Sequence, residues 1–101
     1  MDEQRQVAEF IERHDLGAPP AFRLLDLVSE LGEVAKDVNE STDYGTTPEE
    51  VDVSTDEIGD VMFALLALAD QLDVDAGEAL AVALEKYESR LETQEKPSSG
   101  E

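Results

Sequence analysis

Val61-Met62-Phe63-Ala64-Leu65-Leu66-Ala67-Leu68-Ala69 is the most apolar stretch of this 101-residue chain. A helix built from it is hydrophobic on nearly every side, so it belongs at the centre of the fold. It is too short to cross a membrane, which needs about 20 apolar residues. Just upstream, Ser54-Thr55-Asp56-Glu57 has the pattern of an N-terminal cap, and the spacing predicts a helix from there to about Leu72. Just downstream, Asp75-Ala76-Gly77-Glu78 repeats the cap pattern and opens a further helix over about residues 76–94.

Working back toward the N-terminus, residues 39–47 form a polar loop, and Thr47-Pro48-Glu49-Glu50 resembles a capping box that starts a short helical turn. Before it, a helix over about residues 20–39 carries Leu24, Leu27, Val28, Leu31, Val34, Ala35 and Val38 on one stripe. Pro19-Pro20 opens that helix and, with Gly17, ends a first helix over about residues 3–14, whose Val7, Phe10 and Ile11 face inward. No run of strict alternation suggests a strand. The expectation is an all-α four-helix bundle in a single domain, residues 1–94, followed by a polar tail, residues 95–101. The all-round apolar character of the third helix further predicts a core shared between copies, as a homodimer or homotetramer.

The charge balance excludes several classes of function. There are 26 acidic against 7 basic residues, a net charge of −19. Nucleic acids and anionic membranes are held by Lys and Arg clusters, which are missing here. No cysteine is present, so disulfides, thiol nucleophiles and thiolate metal sites are excluded. The opening Met1-Asp2-Glu3-Gln4-Arg5 is not a basic signal-peptide start, and a cytoplasmic location is expected. Acid spread along the whole chain repels itself at low ionic strength, whereas at molar salt the screening length is only about 3 Å. That distribution suits a salt-rich, halophilic cytoplasm.

Within this crowd of acids one pattern occurs twice. Glu30-Leu31-Gly32-Glu33-Val34 lies in the second helix and Glu57-Ile58-Gly59-Asp60-Val61 in the third. Each puts two carboxylates on successive turns of one face. Asp26 and Asp37 extend the first pair into a stripe spanning about 60° of the helix. The enclosed glycines cost about 1 kcal/mol each relative to alanine, a cost usually offset by close approach of a helix or ligand. Carboxylates crowded beside an apolar helix raise one another's pKa, and a hard divalent cation, Mg²⁺ or Mn²⁺, relieves that repulsion. Simpler explanations fit the same spacing: Glu57 as the third residue of the Ser54 cap, Glu33 paired with Lys36, or a solvated face. In the fourth helix Lys86 and Arg90 stand four apart, suited either to surface pairing or to a phosphate clamp.

Taken together, these residues resemble the MazG-like family of all-α nucleoside triphosphate pyrophosphohydrolases. That family carries Glu-x-x-Glu, then Glu-x-x-Asp, then a helix with Lys and Arg four apart, matched here by Glu30/Glu33, Glu57/Asp60 and Lys86/Arg90 over about residues 20–91. The resemblance implies hydrolysis of a nucleoside triphosphate to its monophosphate and pyrophosphate with Mg²⁺. It implies that the four carboxylates hold metal and that Lys86 and Arg90 meet phosphate. Ser29, Leu84 and Ser89 depart from the family pattern, which has Glu, Asn and Arg at those places. Among the carboxylates Glu33 is the expected proton acceptor. Phe10, Phe22, Tyr44 and Phe63 can stack on a base or pack in the core.

Two other metal-site patterns fail. An EF-hand starting at Asp37 would place Thr42 at the required glycine and Pro48 at the bidentate glutamate. A di-iron bundle wants Glu-x-x-His motifs, and the single histidine, His14, lies elsewhere, as a surface residue ending the first helix. The competing functional class is a non-catalytic acidic helical module that oligomerises or binds a partner.

Overall fold

The computed structural model describes residues 1–93, so the polar tail expected over 95–101 lies outside the described residues. Among the described residues there are four α-helices and no strand: α1 (Asp2–Arg13), α2 (Pro20–Ser41), α3 (Thr55–Gln71) and α4 (Ala76–Thr93), with a single 3₁₀ turn at Pro48–Glu50. The all-α four-helix architecture is the one expected. Ser54 Oγ accepts from Glu57 N at 3.2 Å and Asp75 Oδ1 from Glu78 N at 3.0 Å, so both predicted caps form. Thr47 does not cap. Its Oγ1 donates to Thr42 O at 2.9 Å instead, and only a 3₁₀ turn follows. α2 runs two residues beyond Asn39 because the hydroxyls of Ser41 and Thr42 donate back to Asp37 O and Val38 O, each at 2.6 Å. Asp43, Tyr44 and Gly45, all at positive φ, then turn the chain.

α3 is the centre. α2 lies along most of one side of it, α1 crosses another, and α4 meets it only slightly. The alanines at 64 and 67, 4% and 0% exposed, let the neighbouring backbones come close, and Leu66 and Ile11 complete the buried apolar set. At the N-terminus, Gln4 joins elements 70 residues apart: its Nε2 donates to Val74 O at 2.7 Å and its Oε1 accepts from Ala76 N at 2.8 Å. The Met1 ammonium adds a 3.8 Å ion pair to Asp75. These contacts fix where α4 begins and hence its direction. Arg23 is buried likewise, donating to Leu16 O, with Asp26 3.8 Å away. It ties the α1–α2 connection to the start of α2.

The face that α2 turns to α3 differs from the one expected. Leu24, Val28 and Leu31 are exposed, whereas Arg23, Leu27, Glu30, Val34, Asp37 and Val38 are turned inward. Helical periodicity locates an apolar stripe but does not say which neighbour covers it. The same holds for α3, where Ile58, Met62, Leu65 and Leu72 stay exposed, and for Phe10 of α1, which is 40% exposed despite packing on Phe63. The chain presents 7458 Å² to solvent, well above the about 5,600 Å² of a folded monomer of this mass. Its radius of gyration is 16.5 Å, where about 13 Å is usual for this length. Neither Gly32 nor Gly59 is approached by another helix, since a Cβ at either would meet nothing within 4 Å. The close helix approach expected there is not made within this chain, and the space beside both glycines is open.

Candidate functional site

The antiparallel pairing of α2 with α3 decides which carboxylates meet. Glu30 and Asp60 line one hollow of about 240 Å³, together with Asp26, Phe63 and Ala64. One turn further along the seam, Glu57 of α3 faces Asp37 and Glu33 of α2. All four expected carboxylates therefore belong to the α2–α3 seam, in two successive levels, and Asp26 and Asp37 extend it at either end. Glu33 and Asp60 are exposed, Glu30 and Glu57 half-buried. Among the described residues no three of them already stand close enough together to share a metal ion. Among the described residues neither Glu33 nor Asp60 is held by an ion pair. In particular, Glu33 does not pair with Lys36.

Glu57 is the most strained of these groups. Its backbone N–H completes the Ser54 cap, but its side chain does not reach back to the cap residue; it lies against Asp37. A hydrogen bond shared with Asp37 and partial burial push its carboxyl up to about 7, and the charges of Asp37, Glu33 and Asp56 add to the rise. Its Oε1 is buried and has no donor within reach. Two such carboxyls can stay together only by sharing a proton or by holding a cation. The donor set is all carboxylate oxygen and one of its atoms is orphaned and buried, which fits a hard divalent ion such as Mg²⁺ or Mn²⁺.

Next to the acid seam lies a wider open hollow of about 500 Å³ between α1 and α3, lined by Gln6, Val7, Glu9, Phe10, Arg13 and Phe63. Phe63 is common to both hollows. Phe10 meets it edge-on at 6.0 Å, Arg13 sits 5.9 Å from the Phe10 ring, and the His14 ring lies tilted against that ring at 4.5 Å. Phe22 and Tyr44, by contrast, are 58% and 76% exposed and stand apart from either hollow. Lys86 and Arg90 are not brought to the seam. They bracket Tyr87 on α4, 5.4 and 5.8 Å from its ring, and among the described residues neither makes an ion pair.

Three comparisons bear on this geometry. The model of the MazG nucleotide pyrophosphohydrolase domain matches residues 20–94. The protein YpjD of Bacillus subtilis (strain 168) is 37% identical over 94 residues, which cover 88% of this chain and 83% of YpjD. The crystal structure of Bacillus subtilis YpjD superposes with a TM-score of 0.71 at 36% identity, covering 88% of this chain and 92% of that one. A second crystal structure, of a Bacillus-conserved MazG protein described as a nucleotide pyrophosphohydrolase, gives a TM-score of 0.67 at 30% identity over 85% of each chain.

Proposed function

The chain belongs to the MazG nucleotide pyrophosphohydrolase family, and we propose that it hydrolyses a nucleoside triphosphate to the monophosphate and pyrophosphate in the presence of Mg²⁺. The observation that supports this most is the facing of the two acid–glycine–acid segments across one helix seam, with an orphaned carboxylate oxygen buried in it. Glu30, Glu33, Glu57 and Asp60 would hold the ion. When bound, magnesium would offset charge on the phosphoryl oxygens and make a neighbouring water more acidic.

The remaining chemistry falls to the chain's own groups. A water oxygen bonds to the α-phosphorus while the bond from that phosphorus to the α–β bridging oxygen breaks, and pyrophosphate departs with the bond's electrons. Glu33, exposed at the seam and, among the described residues, without an ion pair, takes the water's proton. Without a cation the seam would repel a polyanionic substrate, so substrate and ion arrive together. Phe10 and Phe63 offer an aromatic edge to the base beside the acid hollow. Lys86, as a point charge, and Arg90, as a planar fork, would hold phosphate oxygens.

The test is pyrophosphate release from a panel of canonical and modified triphosphates, with and without Mg²⁺, at low and at molar salt. Release that needs Mg²⁺ and falls by at least about 100-fold in Asp60→Asn supports the proposal. No release from any triphosphate under any of these conditions overturns it in favour of an acidic partner-binding module.

A further inference from the structure

A second group of polar side chains, outside the acid seam, lies on one face of α1. Gln6, Glu9, Phe10 and Arg13 recur at helical spacing, and all four line the hollow of about 500 Å³ that α1 makes with Phe63 of α3. Glu9 stands four residues before Arg13, the order in which a helical ion pair forms best. Among the described residues that pair is not made: Arg13 lies 5.9 Å from the centre of the Phe10 ring, and Glu9 has no ion pair. On the same helix Arg5 and Asp2 do pair, at 3.3 Å. A carboxylate and a guanidinium thus stand exposed side by side, their Cβ atoms about 5–6 Å apart, next to the rings of Phe10 and Phe63. Phe63 also lines the acid hollow with Glu30 and Asp60, and it follows Asp60 by about 4.5 Å along the helix axis. A nucleotide whose α-phosphate lies at the acid hollow therefore carries its base, one sugar further on, past Phe63 to the face of α1.

We propose that this face of α1 reads the base, and that Glu9 and Arg13 together select guanine. This rests on the reading of the α2–α3 seam as a hydrolase site. The outer edge of guanine presents, in order, the 2-amino group, N1–H, O6 and N7, two donors followed by two acceptors. A carboxylate accepts from the two donors with its two oxygens, and a guanidinium donates to the two acceptors with its planar fork. Glu9 and Arg13 supply those two groups at neighbouring positions, and the Phe10 and Phe63 rings supply apolar surface for the plane of the base. The hollow is within the size range of small-molecule sites. Glu9 also places one more negative charge beside a polyanionic substrate, in a chain of net charge −19. A base with two N–H donors on one edge offsets that repulsion. Adenine and cytosine turn a ring-nitrogen acceptor to the carboxylate and an amino donor to the guanidinium, so both contacts are mismatched. Hypoxanthine lacks only the 2-amino group, and uracil keeps one N–H and one carbonyl. The expected order is GTP, then ITP, then UTP, with ATP and CTP last.

The test is kcat/KM for pyrophosphate release from these five triphosphates with Mg²⁺, in the wild type, Glu9→Gln and Arg13→Ala. In the wild type GTP should exceed ATP by at least about 10-fold. Glu9→Gln should bring GTP to within about 2-fold of ITP, because the amide has a single acceptor oxygen and cannot hold both N–H donors. Arg13→Ala should lower GTP and ITP by at least about 10-fold, and by more than it lowers ATP. Both side chains are exposed, so the helical circular dichroism should be kept in each variant. Equal losses on all five substrates mark a merely structural role and overturn the proposal, as does a wild type with no preference for GTP; either result leaves the hydrolase reading standing. Binding gives a readout independent of turnover: in titration calorimetry with Mg²⁺, GMP should bind at least about 10-fold tighter than AMP, and Glu9→Gln should erase most of that difference. GMP bound no tighter than AMP overturns the base assignment whatever the turnover. A preference for GMP with no release from any triphosphate overturns the hydrolase reading and supports the base site alone.

Discussion

The α2–α3 seam and α4 have opposite arrangements. Along the seam polar groups are turned toward a neighbouring helix: Glu30, Glu57 and Asp37 are half-buried and Arg23 is buried. Along α4 large apolar groups are turned to solvent, while among the described residues its cations make no ion pair. Hydrophobic burial alone would produce neither arrangement. A seam that crowds carboxylates lowers stability as long as their charges are not neutralised. A helix that leaves Leu80, Leu84 and Leu91 uncovered forgoes the stability their burial would give. The difference is between a seam that crowds like charges and a face that leaves apolar surface in water.

The sharpest way to break this contrast is at the seam. Glu33→Gln, nearly isosteric, should reduce turnover by about 100-fold or more while the far-ultraviolet spectrum is unchanged; normal rates would remove Glu33 as proton acceptor. Gln4→Ala comes next. It leaves Val74 O and Ala76 N without their partners and should lower stability by roughly 1–3 kcal/mol in denaturant unfolding.

Smaller effects come from protonation. Glu57 is raised from 4.5 to about 7 in the folded chain, so folding takes up a proton between those values. The group's contribution to stability is present below pH 4.5 and is lost as pH climbs through 7. Without metal, the melting temperature should therefore fall as pH rises across that window, and Glu57→Gln should flatten the fall. Mg²⁺ should raise the melting temperature more at pH 8, where Glu57 is ionised and needs a counter-charge, than at pH 5. A magnesium effect equal at both values would show that Glu57 is not among the groups the ion neutralises. Self-repulsion of the net −19 charge adds a last, diffuse term: molar sodium chloride should stabilise wild type and Glu57→Gln alike.

Much of the architecture could be read from local chemistry. The caps at Ser54 and Asp75 are short-range hydrogen bonds, and they form as their side chains dictate. Helix ends at the Pro19-Pro20 pair and at the turn through Gly45 follow from backbone restrictions that act within a few residues. The pairing of Glu30 with Asp60 was approachable because the acid–glycine–acid segment recurs. Asp37 as the neighbour of Glu57 was not singled out, although its place on the acid stripe was visible. Gln4 and Arg23 left no signal, since a lone polar residue at a helix start looks the same whether buried or solvated.

Residue identity and spacing were enough for the four helices, their caps, the order of the acidic motifs and the family, because each depends on contacts within a few residues or on a pattern kept in order along the chain. Which face of α2 meets α3, how far α4 stands from the acid seam, and that Glu57 lies against Asp37 depend on contacts between residues far apart in sequence. Such contacts are set by how whole helices pack, and a helix with two stripes carries no local mark of which one its neighbour will cover.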